Sequence, residues 1–567
     1  MARRLGAGIA GAAVLIGVIT VLARVTGFAK QLAFARTVGT NCLATAYYTA
    51  NNVPNIVFEV VVGGALAGMV VPVLAGAAAR SDGEARAEVG RIASALLTWV
   101  IVLLVPLAAL TALLAAPVAR LLVAFGVGEC DVGQVAAVAA RMLVVFAPQI
   151  PLYGLAVVLY GVLQAHRRFS GPALAPLVSS AVVIVAYLAF GPLSGGHKDP
   201  ATVPGPAEIT LSAGTTLGVL ALVVTVVGPT WRLGLRWRPT LRFPEGVAVQ
   251  VRRLALAGLS ALVAQQAAAA ILIPVANRVG GGVLPAYNYA WAIYQVPYAV
   301  LAVPIATSAF PALAARAQAE DEGFAALAAR TTRAVVLVCG LAAGALAAVA
   351  MPVAHVFLAQ ADTEVAAAEF ARGIALFAPG LVGYGLVAHL SRVLYAAGQG
   401  RAAARGQVAG WLVVAVAQVA FVLVLPDGWG LGGLALGQAT GMTVGAGLLL
   451  ASVVRARGAR SAQGVPRAGL AALLGGGAGF LAGAAAARLP LSGEGPWGGL
   501  LTAALAGLTA VVAGVLVAGL VDRGDLTAAL SGVRRGRGAS PAEPPIEEAG
   551  MSERISGPGR AGGEERA

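Results

Sequence analysis

Apolar residues run along the chain in stretches of about twenty, separated by short segments rich in Arg, Gly and Pro, from Gly8 to Leu520. A helix rises 1.5 Å per residue, so a stretch of this length crosses the hydrocarbon core of a bilayer. It also keeps every backbone hydrogen bond internal where no water is available. The pattern predicts membrane helices near residues 8–34, 45–75, 90–115, 134–164, 171–191, 212–229, 254–276, 284–313, 331–357, 366–396, 404–425, 431–453, 468–487 and 497–520. The expected fold is an all-α polytopic membrane protein of about 14 transmembrane helices.

Composition sharpens this picture. The chain is 59% hydrophobic and 11% charged, with a mean hydropathy of +0.85, whereas soluble domains carry about a quarter charged residues. A soluble fold is excluded. The opening Met1-Ala2-Arg3-Arg4 resembles the start of a signal peptide. The apolar run continues through Arg24 into further spans without a small-residue cleavage site, so it reads as the first membrane helix. The three cysteines, Cys42, Cys130 and Cys339, are too scattered in sequence for a disulfide framework or a metal site, and no Cys-His cluster accompanies them. The expectation is no disulfide, no metal and no redox chemistry.

Charge distribution sets the topology. The net charge is +14, but the arginines sit in short loops, which points to topology and anionic lipid rather than nucleic acid. Even-numbered connections carry Arg80, Arg86 and Arg91; Arg167 and Arg168; Arg232, Arg236, Arg238, Arg242, Arg252 and Arg253; Arg316 and Arg330; Arg401 and Arg405; and Arg455, Arg457, Arg460 and Arg467. Odd-numbered connections offer chiefly Arg120, Lys198, Arg278 and Arg488. The even-numbered set is therefore cytoplasmic, with both termini, in a multi-pass protein of the bacterial plasma membrane. After Val521 the composition turns to Arg, Gly, Pro, Glu and Ser, which predicts a disordered cytoplasmic tail over 523–567.

The chain repeats itself. Ala140-Arg141, Phe146-Ala147-Pro148 and Tyr153-Gly154-Leu155 return 231 residues later as Ala371-Arg372, Phe377-Ala378-Pro379 and Tyr384-Gly385-Leu386. Val53-Pro54 likewise returns as Val296-Pro297. Two copies in one direction with one sidedness need an even number of helices each, which gives two six-helix lobes in a parallel repeat plus two extra C-terminal helices. The expected divisions are 1–240 for the first lobe, 241–460 for the second, 461–522 for helices 13 and 14, and 523–567 for the tail. In parallel-repeat transporters the substrate site lies between lobes that rock against each other.

Charges and prolines inside the spans mark where such a site would be. Helix 1 carries Arg24, Lys30 and Arg36. Cations on so apolar a helix are costly against lipid, so at least the deeper ones predict a cationic, water-filled cavity suited to a diphosphate, while Arg36 reads either as part of it or as an interfacial residue that snorkels. Glu59 in helix 2 reads either as a charge partner for these cations or as an ion-coupling group. Gly27, Pro54, Pro148, Pro297 and Pro379 are the candidate hinges and kinks. No catalytic residues are expected, because the outer-loop pair Glu129 and Asp131 is too slight for metal or base chemistry. No Gly-x-x-x-x-Gly-Lys-Ser/Thr loop is present, so membrane potential or an ion gradient, not ATP, is the expected driver, with no cofactor.

The run Ala23-Arg24-Val25-Thr26-Gly27-Phe28-Ala29-Lys30-Gln31, followed by Ala35-Arg36-Thr37-Val38-Gly39, resembles the helix 1 signature of the lipid II flippase family, MurJ or MviN. Asn52-Val53-Pro54-Asn55, Gly64-Ala65-Leu66 and Val71-Pro72-Val73-Leu74 are similar to its helix 2 motifs. Leu163-Gln164-Ala165-His166-Arg167-Arg168-Phe169 with Pro172 and Pro176 is similar to the stretch after its helix 4.

The resemblance implies the multidrug/oligosaccharidyl-lipid/polysaccharide exporter fold and a central cationic cavity. It also implies flipping of an undecaprenyl-diphosphate-linked peptidoglycan precursor by alternating access. Arg24 and Lys30 fall on the family's cationic positions. Gln31, Thr45, Phe58-Glu59 and Ala292 depart from its charged positions, which keeps an exporter of another polyprenyl-linked glycolipid or of a drug as the alternative, and a noncatalytic cell-wall synthesis scaffold as a second. The partners so implied are a lipid-linked diphosphate, membrane lipids and cell-wall synthesis proteins, with no nucleic acid.

Overall fold

The computed structural model describes residues 19, 22–23, 25–60, 70, 73–74, 83–243, 247–319, 323–358, 363–489 and 496–527. Helices dominate them, and the described residues contain isolated bridges but no strand. The first lobe comprises α1 (residues 25–37), α2 (Cys42–Phe58), α3 (Gly83–Leu113), α4 (Ala115–Leu122), α5 (Val132–Phe146), α6 (Gln149–Ala165), α7 (Ser170–Ser194) and α8 (Gly205–Trp231). The second comprises α9 (Val247–Val279), α10 (Val283–Pro297), α11 (Val303–Gln318), α12 (Gly323–Ala348), α13 (Ala350–Leu358), α14 (Ala367–Phe377), α15 (Gly380–Ala396), α16 (Gly400–Val424) and α17 (Gly430–Arg457). Last come α18 (Val465–Ala486) and α19 (Pro496–Val521).

Twelve spans among the described residues are long and apolar enough to cross a membrane, running from Gly83–Leu113 to Gly498–Val521. They match the third to fourteenth predicted spans in order. The first two predicted spans lie partly outside the described residues, and α1 and α2 are their described portions. Arg24 and Pro72 fall outside the described residues as well.

The repeat is visible as repeated defects. The span 132–165 breaks at Pro148, between α5 and α6, and the span 367–396 breaks at Pro379, between α14 and α15. Proline lacks the N–H that the next turn requires and its ring displaces the preceding carbonyl, so the two helices yield at the same word of the duplicated sequence. A second pair of defects is wider. A π-turn, Tyr298–Ala302, follows Pro297 at the junction of α10 and α11, and Glu59 begins π-type backbone just after α2, five residues beyond Pro54.

Packing within the second lobe depends on the lack of side chains. A Cβ on Gly410 would lie 3.1 Å from the Cα of Gly445, and one on Gly437 would lie 2.6 Å from the backbone N of Gln418, so α16 and α17 meet backbone to backbone. Between lipid-facing helices there is little hydrophobic driving force, and close approach over small residues supplies dispersion contact instead. The last two helices attach in the same manner: a Cβ on Gly476 of α18 would lie 2.7 Å from Gly340 O of α12, and one on Gly475 would lie 2.7 Å from Gly514 O of α19.

Two expectations are corrected. Cys42 and Cys130 form a disulfide, 88 residues apart in sequence but 5.8 Å apart at Cα, while Cys339 is a buried free thiol. Sequence separation misled because the start of α2 and the loop before α5 arrive at one end of the bundle. The tail, expected to be disordered from residue 523, is tied down at its start: Arg333 pairs with Asp525 at 2.5 Å, and Arg467 donates to Val521 O at 2.9 Å beside Asp522.

Candidate functional site

The odd-numbered connections converge and shut one end of the bundle. Glu364 N donates to Thr40 O at 2.8 Å, and the Thr40 hydroxyl donates to Thr363 Oγ1 at 2.7 Å, joining the loop after α1 to the loop before α14. Gly282 N donates to Thr45 Oγ1 at 2.8 Å, and Asn277 Nδ2 to Thr49 Oγ1 at 3.0 Å, so α2 is bonded across the lobe boundary to both sides of the α9–α10 turn. Gly282 sits at φ +76°, where a side chain is strained, and a Cβ there would strike the Thr40 carbonyl. This close approach requires glycine.

An aromatic plug lies beneath this end. Phe34 of α1 is fully buried among Tyr47 and Tyr48 of α2, Tyr187 of α7 and Tyr289 of α10, at centroid distances of 4.7, 5.1, 4.9 and 6.4 Å. Buried phenols need partners, and here they find them: the Tyr47 hydroxyl bonds those of Tyr187 and Thr215 at 2.7 and 2.8 Å, and Tyr289 donates to Gly39 O at 3.0 Å. The plug was not foreseen from sequence. The adjacent Tyr47-Tyr48 pair on a helix otherwise rich in small residues is the only signal it leaves there.

Below the plug, between α1, α7 and the α10–α11 π-turn, lies a cavity of about 510 Å³. Lys30 lines it and is the one cation among its described lining residues. Gln31 and Gln295 add amides, and Tyr48 donates to Gln31 Oε1 at 2.8 Å, tethering the cavity wall to the plug. Gly27 lies on the same face of α1 with no atom within 4 Å of where a Cβ would be, which leaves the lysine room to move. On the opposite wall, Pro172, Pro176 and Ser180 of α7 form a mostly apolar surface. Val296 and Val300, 46% and 62% exposed, form part of its lining, so one edge of the cavity is open and apolar. A charged head inside and an apolar tail outside can be accommodated at once.

The other predicted site residues separate. Arg36 is exposed in the last turn of α1 and lines neither this cavity nor the one described next. Glu59, just after α2, is half-buried in a second inter-lobe cavity with Asn52, Asn55, Gln265 and Gln266, and among the described residues no ion pair reaches it. Pro54 is buried within α2 and Pro297 ends α10 at the π-turn. Arg141 and Arg372, equivalent in the repeat, both have local partners. Arg141 makes a forked pair with Glu208 at 2.9 and 2.7 Å, and Arg372 stacks 4.2 Å over Trp429 and donates to Gly428 O at 2.7 Å.

Comparison with known proteins identifies the family and the fold. The family model described as lipid II flippase MurJ matches residues 34–485. A protein of Burkholderia cenocepacia named lipid II flippase MurJ is 28% identical over 384 residues, 66% of this chain and 71% of that protein. A Rhizobium tropici protein named probable lipid II flippase MurJ is 27% identical over 310 residues, 53% of this chain and 54% of its own length. Among solved structures, one of lipid II flippase MurJ in an inward closed conformation superposes with a TM-score of 0.68 at 16% identity, covering 90% of this chain and 99% of that one. An inward-facing multidrug-resistance MATE family transporter of the MOP superfamily gives 0.58 at 16% identity, covering 77% and 99%. At such identities the structural likeness is one of fold.

Proposed function

The chain belongs to the lipid II flippase family, and on that premise we propose that it carries a polyprenyl-diphosphate-linked peptidoglycan precursor, lipid II, from the inner to the outer leaflet by alternating access. The observation that carries this reading is the Lys30 cavity: a cation held beneath a closed end, in a space with an open apolar edge. Lys30 and Arg24 hold the diphosphate. Lysine supplies a point charge and arginine a fork of donors for phosphate oxygens. Bound diphosphate cancels the repulsion between the two cations, and that differential binding favours the state in which the inner side closes.

The closed end faces outward and both termini are cytoplasmic. The odd-numbered connections that build this end are poor in Arg and Lys, and the disulfide Cys42–Cys130 lies there, on the side where an oxidising compartment sustains such a bond. Membrane potential or an ion gradient supplies the work, with Glu59 as the titratable group within the inter-lobe space. An exporter of another polyprenyl-linked glycolipid is the second reading, favoured by Ala292 in the wall of the Lys30 cavity, where a further cation would serve a diphosphate.

The test is complementation of cells depleted of their lipid II flippase, with wild type, Arg24→Ala and Lys30→Ala at matched membrane levels. Rescue by wild type alone is the expected result. Failure of a well-expressed wild type would move the cargo to another glycolipid, and full rescue by both variants would remove the cationic-cavity mechanism.

A further inference from the structure

Another cavity lies at the end of the bundle away from the Thr40–Thr363 contact. The span 367–396 starts beside that contact, so α16, which follows it, starts at the opposite end, and α17 returns there. Between the first turns of α16 and the last turns of α17 is a space of about 490 Å³, lined by Arg405, Arg455, Gln399 and Ser452 among others. It shares no lining residue with the Lys30 cavity or the Glu59 cavity. Gly406 in its lining lets the helices close there: a Cβ would lie 2.6 Å from the Leu449 side chain.

The charge of this space is uncompensated. Arg405 and Arg455 are exposed, and among the described residues neither has a carboxylate partner. From Gly380 to Ala486, the length of α15 to α18, the sequence holds a single acidic residue, Asp427, and it lies in the α16–α17 loop at the closed end. Arg405 donates from Nε to Arg401 O at 3.3 Å, which leaves both terminal amino groups of its fork for a ligand. Two forked cations with the Gln399 amide at hand suit phosphate oxygens.

The same helix faces continue as hydrocarbon. Leu412 and Val416 follow Arg405 on one face of α16, and Leu448 and Val444 precede Arg455 on the matching face of α17. These four are between 39% and 69% exposed, on two spans long and apolar enough to cross a membrane. Arg405 and Arg455 sit within a turn or two of the span ends, the depth at which a bilayer carries its phosphates. Free phosphate would use the arginines and not the apolar faces. A zwitterionic lipid would bring an ammonium up to two guanidinium groups.

We propose that this seam binds an anionic glycerophospholipid of the surrounding bilayer, its phosphodiester between Arg405 and Arg455 and an acyl chain along Leu412, Val416 and Leu448. Basic pockets between membrane helices take anionic head groups in this manner. On the proposed topology the site opens to the inner leaflet, and it is separate from the cavity assigned to the cargo.

The test titrates the purified full-length protein in detergent with phosphatidylglycerol or phosphatidylethanolamine of the same acyl chains, read by native mass spectrometry. Wild type should bind the first phosphatidylglycerol about tenfold more tightly than phosphatidylethanolamine, a gain of charge-assisted contacts. Arg405→Gln with Arg455→Gln should bring that ratio within about twofold. Arg401→Gln with Arg460→Gln, which removes two exposed cations from the same end but none from the cavity, should keep the ratio, as should Lys30→Gln. Equal melting temperatures without lipid show that the variants are folded. A wild-type ratio near one would overturn the site. Equal losses in the two arginine pairs would overturn it in favour of diffuse charge attraction, and loss in Lys30→Gln would overturn it by moving the lipid to the cargo cavity. Displacement of phosphatidylglycerol by millimolar inorganic phosphate would overturn the assignment to a lipid.

Discussion

Lys30 and Arg36 lie six residues apart on one helix, yet their surroundings differ: Lys30 lines a cavity beside Gly27 and Gln31, and Arg36 is exposed where α1 ends. Equal formal charge therefore does not mean equal work. Lys30→Gln should weaken binding of undecaprenyl diphosphate about tenfold, the loss of one charge-assisted contact, whereas Arg36→Gln should leave it within twofold; native mass spectrometry of the purified protein in lipid nanodiscs reads both, and a reversed order would refute the proposed placement of the diphosphate. Gly282 provides a residue-scale test of the closed end. Gly282→Val forces a branched side chain into φ +76° against Thr40 and should cost about 1–3 kcal/mol, read as a lower melting temperature in detergent. An unchanged melt would mean the contact with Thr40 is not held. At this scale Lys30 and Glu59 were conspicuous in the sequence as charges in apolar runs, and each lines a cavity. The bonds across the lobe boundary were not, since Asn277 and Thr45 signal nothing in sequence until their partners Thr49 and Gly282 are known.

Elements were legible where they are long. Each apolar run from the third span onward became a helix in the predicted order, and the duplicated Phe-Ala-Pro words became the duplicated breaks at Pro148 and Pro379. What pattern could not supply was the meeting of distant loops. Nothing in the spacing of Cys42 and Cys130 distinguishes a bonded pair from two isolated thiols; the pairing follows from α2 and α5 starting at the same end of the bundle. A cross-link closing a loop of this length constrains the unfolded chain, by about 2–4 kcal/mol in soluble proteins. Chain already confined to a bilayer has less freedom to lose, so Cys42→Ala should sit at the low end, near 2 kcal/mol, seen as a lower melting temperature that reductant does not lower further. If wild type melts identically with and without reductant under conditions that open the bond, the disulfide is not a stabilising element.

For the whole molecule, the outer contacts and the aromatic plug must come apart if cargo is to leave outward. Phe34, Tyr48 and Tyr289 belong to both lobes, and Thr40 meets Thr363 across them, so rocking the lobes would break this set together. Thr40 and Thr363 are paired as in a β-bridge, which brings their α carbons within the roughly 4.4–6.8 Å that a disulfide spans. In a Cys42→Ser, Cys130→Ser background, Thr40→Cys with Thr363→Cys should therefore cross-link readily under mild oxidation. The cross-linked protein should still bind undecaprenyl diphosphate, because Lys30 lies in the space below the plug, but it should move no lipid until reductant frees the pair. A reductant confined to the outer side of intact cells should suffice on the proposed topology, which puts the bridge on the outward face. Transport by the cross-linked form would show that cargo does not pass through an opening of this end, and would refute alternating access for this chain. Release only by a reductant reaching the cytoplasm would invert the assigned topology while leaving the two-lobed mechanism intact.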